Sequence, residues 1–415
     1  MMNSEFFFTL LQLIIYTLPQ MNYVLFDDHS WTDLLPLTFT RPISKIRCGI
    51  LTMQEKWEKY LAAACSNLTQ AYLEESYPIV IAADNLLINA SVFPDKKIVS
   101  AILTLQPDET LIKENIIIAK RLDQKNLSKI ENTVIPISFP KEFSGEVMKL
   151  SNTWDIFRLN GEAIKSDFDL MVQNRKSQTL SASVQVFGNY PVFVEEGANV
   201  HFVHLNTTNG PIYIGKNSEI MEGSLIRGPF AICDESVVKM GAKIYGPTTI
   251  GPCSKVGGEL NNVVIFGFSN KAHDGFLGNA VIGEWCNFGA DSNNSNLKNN
   301  YSPVKLWSYR SEHFIDTGLQ FCGLIMGDYS KCAINMMFNT GTVIGISSNL
   351  FGAGFPRNFI PSFSWGGPQG FTLFTLSKAV EAIDRMKERR GIHIDEKEKK
   401  MLEYVFNNTK IYRHV

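Results

Sequence analysis

Of the seven histidines in the chain, His273 has the setting best suited to proton transfer. It lies in Asn270-Lys271-Ala272-His273-Asp274-Gly275, a run of small and polar residues. An imidazole changes charge near neutral pH, so it can take a proton from an attacking group and later return it. Glu259 stands fourteen residues earlier, just after Gly257-Gly258, where a carboxylate can cap a corner. A polar cluster, Asp291–Asn300, follows; it reads as a binding loop or as a solvated turn in which Asn and Asp bond to their own backbone. The remaining histidines (His29, His201, His204, His313, His393 and His414) have no comparable context and read as structural or solvated.

The elements that must position these residues show a period of six. Ile214, Ile220, Ile226, Ile232, Val238, Ile244, Ile250 and Val256 hold one phase without a break. A helix repeats at 3.6 and a strand at 2, so this spacing points to a hexapeptide β-helix with one aliphatic residue turned inward per repeat. Val264, Asn270, Phe276, Ile282 and Phe288 extend the lattice with one polar member, and it resumes at Met326, Cys332, Phe338, Ile344 and Leu350. The interruptions at 257–275 and 291–318 are the expected places for loops that leave the coil and carry chemistry.

The rest of the chain bounds the problem. Hydrophobic content of 45%, charged content of 19% and a net charge of −2 describe an ordinary globular protein with no electrostatic call for nucleic acid or an anionic membrane. Seven scattered cysteines without metal-ligand spacing suit buried thiols in a reducing, cytoplasmic setting. Phe6–Pro19 is apolar but too short for a stable membrane span, so residues 1–20 read as an upstream extension, with a weak membrane anchor as the alternative. A mixed α/β domain is expected over 21–150, with strand-like runs at Tyr23–Phe26, Ile79–Ala82 and Ile116–Ala119 and a helical stretch at Met53–Ala64. A linking helix follows within 151–183 and the β-helix fills 184–370. Over 371–415, helices with Leu376, Val380, Ile383 and Met386 on one face are expected to cap the open end of the coil.

Asn270–Asn296 resembles the acetyltransferase half of the bacterial bifunctional N-acetylglucosamine-1-phosphate uridyltransferase/glucosamine-1-phosphate acetyltransferase family. Lys271, Ala272 and His273 match its K-A-x-H with one residue's offset, and Gly278, Ala280, Ile282, Gly283, Asn287, Gly289, Ala290 and Asn296 then match in register. Gly228-Pro229-Phe230-Ala231 repeats its G-P-F-A, and Leu35-Pro36-Leu37-Thr38-Phe39-Thr40-Arg41-Pro42 is similar to the P-L-T-x-x-R-P segment of sugar-1-phosphate nucleotidyltransferases. Both halves in this order look most like the divergent Bacteroidetes-type branch. The resemblance implies an α/β nucleotidyltransferase-like domain, then a left-handed parallel β-helix and C-terminal helices. It also implies a homotrimeric enzyme that uses acetyl-CoA to acylate an amino-sugar phosphate or sugar nucleotide, with Mg²⁺ serving any nucleotidyl transfer. Residue by residue, it makes His273 the general base, Glu259 its orienting partner, and Asn287 and Asn296 positioning groups. The Ala290 N–H would bind the thioester carbonyl, with acetyl-CoA lying along the coil beside Ser330 and Ala353.

The departures from the family pattern are specific. Phe276 stands for a sugar-contacting Tyr, Asn261 for a Lys, and the motif ends in Asn296-Leu297-Lys298-Asn299, so Lys298 or Lys305 is the expected replacement charge. In place of a glycine-rich phosphate loop the chain has Phe26-Asp27-Asp28-His29-Ser30-Trp31-Thr32-Asp33, whose carboxylates repel phosphate. Arg41 and Lys45 are the expected nucleotide contacts and Asp84 the expected metal ligand. Two functions stand at this point: an acyltransferase fused to a nucleotidyltransferase-like domain, or a non-catalytic β-helix that binds a sugar nucleotide or serves as a scaffold.

Overall fold

The computed structural model describes residues 21–413, so the extension at 1–20 and His414 lie outside the described residues. The chain divides into two compact units. One contains the residues up to Asp28 together with Trp57–Lys149, and the other contains His29–Lys56 and everything from Leu150 onward. One boundary falls at 150, and the segment carrying Pro36–Pro42 belongs with the solenoid.

The first unit is a six-stranded mixed sheet of β1 (Asn22–Phe26), β2 (Cys65–Leu68), β3 (Asp84–Asn89), β4 (Thr110–Lys113), β5 (Ile116–Asp123) and β6 (Pro140–Glu142), in the order β2-β1-β3-β5-β4-β6. β1 runs parallel to both β2 and β3, and β5 is antiparallel to both β3 and β4. Val24, Phe26, Leu68, Leu87 and Leu122 form the core on one face. The expected strand at Ile79–Ala82 is not formed. Val80 is 58% exposed there, and its carbonyl accepts from the Asn22 side chain, while the strand itself begins at Asp84.

The second unit is a parallel β-solenoid. Along one side, Val194, Ile214, Ile232, Ile250, Ile265, Ile282, Met326, Ile344 and Ile360 stack rung on rung. The whole predicted run from Ile214 to Val256 points inward and is buried. Past Val256, Ile282, Phe288, Met326, Cys332, Phe338, Ile344 and Leu350 also point inward as expected, but the stretch from Val264 to Phe276 needs correction by one residue. Ile265 and Leu277 enter the core, whereas Val264 and Phe276 do not belong to it, and Lys271, not Asn270, pairs with Val256 in the inward row. The cause is a short coil: Ile232 to Ile250 takes 18 residues but Ile250 to Ile265 takes 15. Side chains alternate along a strand, so a one-residue slip exchanges the inner and outer sets. The predicted insertion is real: Ile282 to Met326 spans 44 residues, and it carries an antiparallel hairpin, Lys305–Ser308 with His313–Asp316.

A helix, a segment and a pair of helices cover the solenoid's flanks. The helix Asp155–Val172 lays Ile164 and Phe168 on Phe193, Tyr213 and Ala231. The segment His29–Lys56 is held by buried polar contacts: Gly49 N–H donates to Asn160 (2.8 Å), Leu51 N–H to Asp167 (3.0 Å) and Arg47 Nε to the Phe266 carbonyl (3.1 Å). The helices Leu376–Glu388 and Glu396–Asn408 run along the side of the coils, not across the open end as expected. Arg390 reaches the Cys253 carbonyl, Lys387 lies over Trp285, Tyr329 donates to Glu398 (2.5 Å), and Phe406 meets Phe363 edge-on. The last coil is covered instead by a hairpin, Ser364–Gly367 with Gly370–Leu373, which pairs the otherwise open strand.

Candidate active site

The strand Asn270–Lys271 ends at a corner, and His273 is exposed on it. The chain turns there because Gly275 takes φ +115° and lies against the backbone of Ser292, while Gly258 on the coil below takes φ +75° against Asp274 and Gly275. Only glycine accepts that backbone and that approach together. Lys271 holds the corner from inside. Its side chain occupies a place in the inward row that the neighbouring coils fill with Val256 and Phe288, and it is 2% exposed. The ammonium donates to the His273 carbonyl and to the Asp274 carbonyl (3.0 Å). Burial pushes it down from the ordinary 10.5 to about 8, against the opposing pull of Asp274.

The next corner stacks directly on this one, since Asp291 N–H donates to the Asp274 carbonyl (3.1 Å). Ala290 is in that corner. Its carbonyl accepts from Asn335 N–H (2.8 Å), but its own N–H meets no acceptor among the described residues. An exposed imidazole and a free backbone donor thus sit on adjacent corners, one coil apart.

The face leading away from the His273 corner gathers further predicted residues. Glu259 and Phe276 are paired in register on neighbouring coils, and Glu259 is within 3.4 Å of Lys243 on the coil before. Lys243 was not singled out from the sequence. It places a cation beside the position where Asn261 lacks one, and the pairing of Lys243–Tyr245 with Glu259–Asn261 was its only signal. Gly278 leaves room for the Phe276 ring and the Asn296 amide to close over it, and Asn296 donates to Asn279 (2.8 Å). Asn294, fully buried, fixes this face by bridging the N–H and the carbonyl of Gly278 (2.8 and 2.9 Å).

Other predicted residues lie elsewhere. Asn287 accepts from Asn270 (2.9 Å) and lines a cavity of about 290 Å³ with Lys255, Arg389 and Arg390, above the stacked rings of Phe268 and Trp285. Lys298 and Lys305 meet in a different cavity, whose lining does not include His273. Ala353 is exposed on a late corner. Ser330 is fully buried, donating to the Gly345 carbonyl (2.6 Å) and accepting from Ser348 N–H (3.0 Å), which leaves its hydroxyl nothing to offer a cofactor.

In the segment packed on the solenoid, Arg41 is buried against Asp328 and Glu284 and lies over the Phe266 ring. Thr40 donates to the same Asp328 (2.6 Å). The Pro36–Pro42 motif therefore serves as a buried staple here, and the Arg41 guanidinium is spent on protein carboxylates. Lys45 ends a single 3₁₀ turn, half-buried. In the α/β unit, Asp84 is gripped at both oxygens by Arg121 (2.9 and 2.6 Å). Among the described residues no group of three His, Cys, Asp or Glu is arranged to hold a metal ion. An arginine-clamped single carboxylate is a poor fit for Mg²⁺, which is bound through free oxygens. The carboxylates of the Phe26–Asp33 loop are also engaged: Asp27 accepts from Thr69 (2.5 Å) and Asp28 lies 3.1 Å from Lys149, while in the solenoid unit Asp33 pairs with Arg310 (2.6 Å).

Known proteins resemble parts of the chain. A family model described as sugar nucleotidyl transferase matches residues 23–176. The chain is 31% identical over 87 residues to the bifunctional protein GlmU of Methanocaldococcus jannaschii, covering 21% of each chain. It is 27% identical over 150 residues to the uncharacterized acetyltransferase YaiX of Escherichia coli K12, covering 36% of this chain and 64% of that one. The chain thus spans about a fifth of the first relative and less than two thirds of the second. Among solved structures, the polysialic acid O-acetyltransferase OatWY aligns over 46% of this chain and 87% of its own, at 12% identity and TM-score 0.27. The polySia-specific acetyltransferase NeuO aligns over 50% of this chain and 100% of its own, at 14% identity and TM-score 0.18. The matched family model and the curated acetyltransferase relative are both transferases by description.

Proposed function

We propose that the solenoid unit is an acetyl-CoA-dependent acyltransferase acting on an amino-sugar phosphate or a sugar nucleotide. The observation that carries this reading is the exposed His273 beside the unpaired Ala290 N–H on stacked corners. Acyl transfer to an amine needs a base for the departing proton and a donor for the carbonyl oxygen as it gains charge. His273 takes the proton, and the Ala290 N–H supports the oxygen. Glu259, paired with Lys243, and the Asn279–Asn296 amides face the acceptor, and Phe276 gives its ring an apolar surface. Acetyl-CoA supplies the activated acyl group, with Ala290 and Ala353 on the corners it would follow.

The proposal extends to a homotrimer, in which the flat solenoid faces of neighbouring copies enclose the acceptor. It also places the chain in nucleotide-sugar biosynthesis, in the Bacteroidetes-type branch of the bifunctional family. The free cysteines suit the cytoplasm. Among the described residues no helix is long and apolar enough to cross a membrane. The alternative, a non-catalytic binding or scaffolding solenoid, draws support from the loss of polar contacts at Phe276 and Ser330.

The test is His273→Ala, assayed by free-thiol release from acetyl-CoA over a panel of amino-sugar phosphates and sugar nucleotides. Loss of ~10²–10⁴-fold in turnover is expected from removal of a positioned base. Wild-type turnover in the variant ends the catalytic assignment.

A further inference from the structure

The insertion between Ile282 and Met326 builds a cavity of about 750 Å³ that the acyl-transfer chemistry does not use. Its volume lies within the range of small-molecule sites, roughly 300–1,000 Å³. One wall is aromatic. Trp307 stacks on Phe359 with centroids 4.2 Å apart and planes 10° from parallel. Phe314 and Tyr412 meet Trp307 edge-on at 5.5 and 6.4 Å, so the rings hold one another in place. Phe314 nevertheless remains 39% exposed.

The other wall is cationic: Lys298, Lys305 and Arg357 line the space, and among the described residues no carboxylate does. Lys298 donates once, to the Pro303 carbonyl (2.7 Å), which leaves two of its N–H groups. Lys305 and Arg357 make no side-chain hydrogen bond or ion pair to any described residue. Arg357 is held over the Phe371 ring at 5.2 Å, a contact that orients the guanidinium without using its N–H groups. Two acidic groups of the insertion are occupied: Asp316, paired in register with Lys305, caps Gly318 N–H (2.8 Å), and Glu312 meets the Tyr412 hydroxyl (3.4 Å).

We propose that this cavity binds a nucleoside phosphate, with its base against the Phe314–Trp307 rings and its phosphates on Lys298, Lys305 and Arg357. Rings that stack a flat base, combined with unpaired lysine and arginine donors, are what such a ligand needs. A bare sugar phosphate uses the cations but leaves the aromatic wall empty. A lipid chain has no use for three unpaired cations. The inference goes beyond the acyltransferase reading and rests on it only for the ligand's purpose, as a sugar nucleotide or as the acyl donor.

Binding is tested by calorimetry on the full chain with UDP, ADP, coenzyme A and inorganic pyrophosphate. At least one nucleoside phosphate is expected to bind, and Lys305→Ala with Arg357→Ala to weaken it tenfold or more. Phe314→Ala should weaken the nucleoside phosphate and leave any pyrophosphate binding unchanged. A UDP preference points to a sugar nucleotide as the natural source, and a coenzyme A preference to the acyl donor; either supports the nucleoside-phosphate site. Three results overturn it: no binding at millimolar ligand, pyrophosphate binding as tight as the nucleotides, or nucleotide affinity unchanged in the double variant. His273→Ala should bind as the wild type does, so this assay stands or falls separately from the catalytic assignment.

Discussion

Replacing Lys271 with methionine removes the one charge set in the aliphatic interior of the His273 corner, and its effect on stability has a defined pH course. Burial holds the ammonium at about 8 in the fold, against an ordinary 10.5. At ~1.4 kcal/mol per pH unit, that gap makes the buried charge cost ~3 kcal/mol at neutral pH. The sign follows from proton counting. Below pH 8 both folded and unfolded chains carry the proton, and the full cost applies. Between 8 and 10.5 the unfolded chain keeps the proton while the folded chain has released it, so stability rises with pH. Above 10.5 both are neutral and the cost is gone. Methionine is close in length and has no charge to bury, so the variant lacks this rise.

Lys271→Met also discards two hydrogen bonds to carbonyls, worth ~1.5–3 kcal/mol each where the donor is charged, though water can replace them at an exposed corner. The absolute difference at pH 7 is therefore a poor test, and its change with pH is the sound one. Urea unfolding followed by tryptophan fluorescence reads mainly the solenoid unit, because of the six tryptophans only Trp57 lies in the α/β unit. The stability of the Met variant minus that of the wild type should fall by ~3 kcal/mol between pH 7 and 10.5. Buried thiols pull the other way above their ordinary value: Cys48 and Cys322 are pushed up to about 12 and Cys332 to about 11. They are common to both proteins and cancel in the difference, except Cys332, which interacts with Lys271, so the measurement is repeated in a Cys332→Val background. Asp274 and Asp291 also face the ammonium and are common to both proteins. A difference constant within ~1 kcal/mol would falsify the picture of a charged lysine held inside the coil.

Other outcomes follow from the same structure. Arg41→Met leaves Asp328 buried without its partner and should cost ~3–5 kcal/mol of solenoid stability, much of it recovered by adding Asp328→Asn. With Asp84 clamped by Arg121, nucleotidyl transfer from UTP to a sugar-1-phosphate with Mg²⁺ should be slow or absent, and turnover on the order of 10 s⁻¹ would show a phosphate site of another kind. Light scattering at micromolar concentration should report a trimer, and a stable monomer counts against a site shared between copies.

The fold was largely legible because a solenoid writes its geometry locally: each inward position meets the same environment one coil later, so the period survives in the sequence. What failed did so where coil length changed. The loss of three residues between Ile250 and Ile265 shifted the register, and a fixed six-residue count then named Asn270 and Phe276 where Lys271 and Leu277 point inward. The motif at Pro36–Pro42 misled for another reason. Its residues match a nucleotide-binding segment, but Asp328, almost three hundred residues away, decides what Arg41 does, and local sequence carries no trace of that partner. The Ser330 hydroxyl is similar, being occupied by neighbours one coil on.

These two kinds of failure meet at the corner of His273. Sequence pattern singled out the imidazole as a candidate because motifs are local, yet the corner that carries it is held by a lysine whose role depends on the coil's interior register. A methionine or leucine at 271 would fill that row without the cost of a buried charge. An aliphatic side chain, however, cannot donate to two successive carbonyls, so the loop would keep its glycine bends and lose its anchor. A base must stay within hydrogen-bond reach of the proton it takes, and small displacements are expensive in rate. The ~3 kcal/mol placed in Lys271 is then the expense of anchoring an exposed corner. The solenoid can bear it because its long stack of buried aliphatic residues supplies stability far from the site.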